Sequence, residues 1–441
     1  MRRLGKPRST SRRPTRTSSS TRAAVPLRSA RVQERTPTPP ARRPGRRATA
    51  VAALTTVVAV LPVFLVGGLA VQLEADLEMT ASVLGAAVAV FWAVSALLSA
   101  PAGYVASSLG KRRGMALAVG LGLTALLGIA VLTPHWAWLM LWLGVAGASN
   151  ALIHPLSNGL IVDQVGVPHR AFAFGLKQAA IPAATLTAGL SVPVIALTIG
   201  WQWTFASAAF LAAVFLPVLL RLLPRRVRAS YAATGKPVRG RLPRELRPFL
   251  LMTAVAGGLG SAQANVVGAF TVVSAVDAGF TPAAAGLLLG VASTAGILTR
   301  PLVGIGADRG VGGSMATVAL MMATGCLGLI AMATGLPAAY AIGCVIAFGF
   351  GWGWNGLVHY VVSKTTHPFT AQSTGITQTG TYIGGTLGPL LFGFLFSQVG
   401  STAGWGLAAC LAAAGAGAAL VAFRLEKGLR GVDLSPCSTQ Q

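Results

Sequence analysis

Gly175-Leu176-Lys177-Gln178 returns as Gly375-Ile376-Thr377-Gln378, and the whole chain can be laid out from that echo. Other marks recur with it. Pro101 is matched by Pro301, each leading through a glycine into a short turn. Asn150 and His154 are matched by Asn355 and His359, with the same spacing inside each pair. The repeat lies within twelve apolar runs: 49–72, 81–106, 114–133, 136–160, 171–199, 201–223, 248–275, 282–306, 314–334, 337–362, 371–397 and 402–423. Roughly 20 apolar residues cross a bilayer as a helix. The expected fold is therefore an all-α membrane protein, with twelve transmembrane helices in two pseudo-symmetric six-helix bundles. A six-helix half present twice is the layout of a secondary transporter whose site lies between the halves.

Composition agrees. Hydrophobic residues make up 54% of the 441, and only 10% are charged, against about 25% in soluble domains. The net charge of +25 has the size of a nucleic-acid signal, but its placement argues otherwise. Fifteen of the 35 basic residues lie in residues 1–48, and nine lie from Arg221 to Arg247. Lys111, Arg112, Arg113, Arg170, Arg309, Lys364, Arg424, Lys427 and Arg430 fall at or near the other even-numbered span exits. The odd-numbered exits hold no Lys or Arg, and the first of them carries Glu74, Asp76 and Glu78. Basic loops stay on the cytoplasmic side. Both termini are thus expected in the cytoplasm, with the chain multi-pass in a bacterial plasma membrane. The four cysteines form no C-x-x-C pair, and those inside spans read as small packing residues.

The expected domains are a basic, disordered cytoplasmic tail (1–48), an N-terminal bundle (49–223), a cytoplasmic linker (224–247), a C-terminal bundle (248–425) and a second tail (426–441). Residues 1–48 have too few apolar side chains to bury a core. Three readings of them stay open: a solvated tail or upstream extension, a polybasic segment held on anionic lipid, or a transit peptide. Gly384, Gly385 and Gly388 mark a face where a neighbouring helix can pack closely.

Two loops carry a further pattern. After the second span the chain reads Pro101-Ala-Gly103-Tyr-Val-Ala-Ser107-Ser-Leu-Gly110-Lys-Arg112-Arg113. After the eighth it reads Arg300-Pro-Leu-Val-Gly304-Ile-Gly-Ala-Asp308-Arg309. Both resemble the G-x-x-x-D-R-x-G loop of the major facilitator superfamily, and with the twelve-span layout the resemblance covers about residues 49–425. In that family the loop carboxylate latches neighbouring helices in one conformation. The resemblance makes Gly304, Asp308 and Arg309 one candidate latch, and Gly103, Ser107, Gly110, Arg112 and Arg113 its counterpart. Ser107 supplies no charge, so the N-terminal latch is expected to be the weaker. The Lys-Gln-x-x-x-Pro element at Lys177, Gln178 and Pro182 resembles the cyanate/nitrate-like branch. The second span has no arginine, however, and the repeated stretches have no Asn, which argues against nitrate as cargo.

Ionisable groups inside a span are costly to bury and are functional candidates for that reason. Lys177 has three readings: it meets an anionic substrate, pairs with Asp163, or snorkels to the interface. Arg300 either meets substrate or snorkels. No Asp or Glu lies mid-span, so His154 and His359 are the candidates for proton coupling. Asn150 and His154 share a helix face, Asn158 extends it, and Asn355 with His359 repeats it. Gln178, Gln263, Asn265, Gln378 and Tyr382 complete the expected substrate lining, and Trp352 and Trp354 either shape it or pack.

The expected function is secondary active transport of a small solute by alternating access, coupled to protons or to exchange, with a small anion as cargo. Rival readings are efflux of neutral or hydrophobic compounds and, in another class, a non-transporting receptor or scaffold. No P-loop, metal-spaced cluster or Ser/His/Asp set is present, so neither an enzyme nor a cofactor is expected. The expected partners are a small-molecule substrate and membrane lipids, with no nucleic acid, and the expected assembly is a monomer.

Overall fold

In hydrocarbon every backbone N–H needs a partner within its own segment, which leaves the helix as the spanning form for sequences of this kind. The structure, a computed structural model, describes residues 43–223, 242–367 and 369–429. Among these residues, twelve helices are long and apolar enough to cross a membrane. They are α1 (Gly45–Gly68), α2 (Ala81–Ala106), α3 (Ser108–Val131), α4 (Trp136–Gln164), α5 (Arg170–Ile199) and α6 (Trp201–Leu222) in the first half. The second half holds α7 (Leu246–Asp277), α8 (Pro282–Asp308), α9 (Met315–Ala333), α10 (Pro337–Thr365), α11 (Gln372–Val399) and α12 (Ser401–Gly428). All twelve expected spans are found.

Three boundaries differ from expectation. The first helix reaches back to Arg43, inside the segment expected as tail. The third span follows the second without a loop, the chain kinking at Gly110 (φ 71°) just inside α3. The last helix runs to Gly428, since Glu426 is buried and accepts a hydrogen bond from the Met315 N–H at the start of α9. The remainder of both expected tails and most of the linker lie outside the described residues.

Small residues set the packing. A methyl group on Gly384 would overlap the Gly258 carbonyl of α7, and one on Gly388 would overlap Ala262. These glycines, singled out in the sequence, therefore seat α11 on α7. The two halves touch in the same way at the ends that carry the acidic loops. There Gly67 of α1 meets Gly268 of α7, Gly85 of α2 meets Pro389 of α11, and Gly189 of α5 meets Gly286 of α8. Hydrogen bonds reinforce the seam: Ser82 and Ser397 hydroxyls are 2.9 Å apart, and Thr185 and Ser293 hydroxyls 2.7 Å. At the opposite ends, which carry the basic loops, a methyl on Gly103 or Gly375 would meet nothing. The molecule is thus sealed on its acidic face, while α2 and α11 lack that seal at their basic ends.

A short helix, Ala70–Leu77, caps the acidic face. Its Glu74 has one buried carboxylate oxygen without a partner. Burial first, and Asp277 of the other half second, push the Glu74 carboxyl up from 4.5 to about 7. The folded chain then holds this proton more tightly than the unfolded chain does. Its contribution to stability accordingly falls as pH rises from 4.5 through about 7. Glu74→Gln should flatten the pH dependence of the thermal midpoint in that window and raise the midpoint above it. An unchanged slope would show that Glu74 is not the group responsible.

Candidate functional site

Two helices are broken where they reach the centre. α5 is interrupted at Ala179, directly after Lys177 and Gln178, and winds into a π-turn at Val192–Ala196 around Pro193. α10 passes through a π-turn at Ala347–Gly351 and three non-helical residues before restarting at Asn355. The run Gly349-Phe-Gly351-Trp-Gly353 is the signal for this break, since each glycine lowers the cost of leaving helical geometry. Freed carbonyls must be bonded again. Gln263 of α7 donates to the Gly351 carbonyl at 2.5 Å, with the Trp354 indole donating to the same oxygen at 2.8 Å. Arg300 of α8 donates to the Trp352 carbonyl at 2.7 Å and to Gly296 at 2.9 Å, with its guanidinium 5.6 Å from the Trp352 ring.

Beside the break lies a central cavity. His154, Gln178, Asn265, Asn355, His359 and Gln378, all expected in the lining, do line it. Trp92, Ile181, Ser261 and Thr381 join them and were missed. Trp92 follows Phe91 within an apolar span, so nothing in its local sequence distinguishes it from packing. Both halves contribute. The free space is about 20 Å³, room for about one water, so the site is nearly closed in this conformation.

The other expected lining residues stand behind this wall. Lys177 is 2% exposed and does not snorkel. Its ammonium donates to Asn158 Oδ1 at 2.7 Å and contacts His154 Nδ1 at 3.1 Å. Held as an ammonium, Lys177 can only donate; Nδ1 of His154 then accepts, and the ring proton sits on Nε2. Asp163 does not pair with Lys177. It pairs with Lys111, which also donates to the Gly159 carbonyl. Asn150 donates to Ser95 Oγ at 3.0 Å, which ties α4 to α2 rather than serving the cavity. Gln263 is spent on the α10 break. Tyr382 is buried against Trp92, with ring centroids 6.1 Å apart. Arg300 is 2% exposed and bonded to backbone, so it too does not snorkel.

At the basic face the latch residues have definite partners. Asp308, at the end of α8, accepts from the backbone N–H groups of Phe172 (2.9 Å) and Ala171 (3.3 Å). These are orphan donors at the start of α5, where a carboxylate is favoured by the helix dipole. The bond crosses between the halves and does not involve the expected Arg309 side chain. Gly304 lies one turn earlier, against the Ala171 carbonyl. In the other copy, Lys111 ties to α4 as described, and Arg112 donates to the Leu220 carbonyl of α6 at 2.9 Å. Both contacts stay inside the first half. Arg113 is exposed, and the Ser107 side chain lies outside what the structure describes.

A family model described as Major Facilitator Superfamily matches residues 52–371. The crystal structure of a D-xylose–proton symporter is similar over 86% of this chain and 97% of its own, with a TM-score of 0.70 and 17% identity. That of a nucleoside transporter is similar over 86% of this chain and 100% of its own, with a TM-score of 0.65 and 15% identity. At these identities the likeness is one of fold. Curated protein sequences give no match.

Proposed function

The chain belongs to the Major Facilitator Superfamily, and from that membership we propose that it moves a small anion across the plasma membrane by alternating access. Family and fold are those of a transporter rather than an enzyme. In this reading the basic face is cytoplasmic, by the distribution of Lys and Arg. The observation that carries the anion is Lys177. Moving an ammonium out of water costs several kcal/mol unless it is compensated. Lys111 pairs with Asp163, whereas Lys177 has only the neutral partners His154 and Asn158. An anionic cargo against His154 supplies the missing counter-charge.

The same contact offers a route to proton coupling. A proton reaching His154 at Nδ1 removes the acceptor for the Lys177 ammonium. At this contact, two cations are therefore incompatible with one hydrogen bond. Cargo charge and proton are linked through the pair, and His359 across the cavity is the second proton site. Rocking of residues 49–223 against 248–425 then exposes the site to each side in turn. Uptake of anions into proteoliposomes under an imposed pH gradient tests this. Wild-type uptake should follow the gradient, and a variant carrying both His154→Gln and His359→Gln should lose that dependence. Unchanged pH dependence in the double variant would refute coupling through the histidines.

A further inference from the structure

The cavity wall carries polar atoms that pair with nothing in the protein. Asn265 Oδ1, Gln178 Oε1 and Trp92 Nε1 are each buried without a hydrogen-bond partner. Their residues are 4%, 3% and 6% exposed, and all three line the cavity. The orientation of the Asn265 amide is fixed by chemistry. Its nitrogen donates to the Ser261 carbonyl at 2.9 Å and the Ser261 hydroxyl at 3.1 Å, and a carbonyl can only accept. The end left over is an oxygen. An indole N–H is a donor only. Each orphan of this kind costs roughly 1–3 kcal/mol, and native proteins keep few of them.

These atoms specify a ligand. The Asn265 oxygen calls for a hydroxyl or N–H donor, the indole calls for an acceptor, and the Gln178 amide can meet a hydroxyl with either end. On the other side stands His154, its Nδ1 engaged by Lys177 and its remaining ring nitrogen a donor. A simple inorganic anion or an unsubstituted carboxylate has acceptors alone, and would set negative charge beside the unpaired Asn265 carbonyl oxygen. A simple amine offers nothing to the indole or to His154. We propose that the cavity recognises a small hydroxylated carboxylate, its carboxylate toward His154 and Lys177 and its hydroxyl toward Asn265 and Gln178. This rests on the anionic cargo argued above and adds the hydroxyl to it.

The test is thermal stabilisation of the purified full-length chain by four probes of similar size: glycerate, propionate, glycerol and nitrate. A ligand that binds the native state raises its midpoint by mass action. A site built to bond a hydroxyl discriminates strongly against the analogue that lacks it. Glycerate should half-saturate the shift at a concentration about tenfold or more below that of propionate, with glycerol and nitrate weaker still. Asn265→Leu should erase the gap between glycerate and propionate, so that the two half-saturate the shift at the same concentration. Gln178→Leu gives the same readout should the first variant fail to fold. Propionate equal to glycerate overturns the hydroxyl inference while the anion reading stands. Glycerol equal to glycerate overturns the anion reading and leaves a hydroxyl site without its carboxylate partner. No shift with any probe overturns the inference outright.

Discussion

Lys177→Met should reduce anion uptake by roughly 100-fold or more while the protein remains folded. In the proposed reading the loss is large because the ammonium, held behind His154, is the charge that balances the cargo's in a water-poor site. Removing one member of a buried, hydrogen-bonded charge pair typically costs 2–5 kcal/mol, which is roughly 30- to several-thousand-fold in affinity. Methionine keeps the length and apolar stem of the lysine, so the packing of α5 is largely preserved. It does leave His154 Nδ1 and Asn158 Oδ1 without a donor. The thermal midpoint of the variant must therefore be recorded beside its uptake. A folded Lys177→Met protein that still carries the anion at the wild-type rate would remove the basis for the anionic cargo.

Joining Ser82 to Ser397 through a disulfide should stop transport altogether. Their hydroxyls are 2.9 Å apart across the acidic-face seam, and the α2 and α11 backbones already touch there at Gly85 and Pro389. Sulfur atoms at these positions need only a small adjustment to reach bonding geometry. A Ser82→Cys/Ser397→Cys protein, built without Cys326, Cys344, Cys410 and Cys437, should fall to background uptake when oxidised and recover when reduced. The reasoning is steric: if the cargo leaves or enters between these helix ends, a covalent bond across them blocks every cycle. Transport at the reduced rate by fully cross-linked protein would mean that the seam never opens.

Much of this architecture was legible in the chain. The spans follow from apolar length alone, and the duplicated glycines and prolines fix the two halves. Details that depend on a distant partner were not legible. The α10 break averages out in any hydropathy window, although Gly349, Gly351 and Gly353 mark it. The repeat implies equal roles for Asn150 and Asn355, yet Ser95 of α2 takes the first while the second faces the cavity. Asp308 was expected to seek a basic side chain. It found backbone N–H groups at the start of α5 instead, because a helix terminus is an anion site that no residue type announces. Lys177 looked free to reach Asp163, but Lys111 occupies that carboxylate. His154, His359 and the Gln178/Gln378 pair were found because the duplication placed them at matching depths.

If the two halves rock about the cavity, the inter-half distances at both faces must change together. Spin labels on the acidic ends of α2 and α11, and on the basic ends of α5 and α8, should report two populations at each face. Asp308→Ala, which removes the α5 cap, should shift the basic-face pair toward the longer distance and the acidic-face pair toward the shorter one. A single, unchanged distance at both faces in wild type and variant would contradict alternating access in this protein.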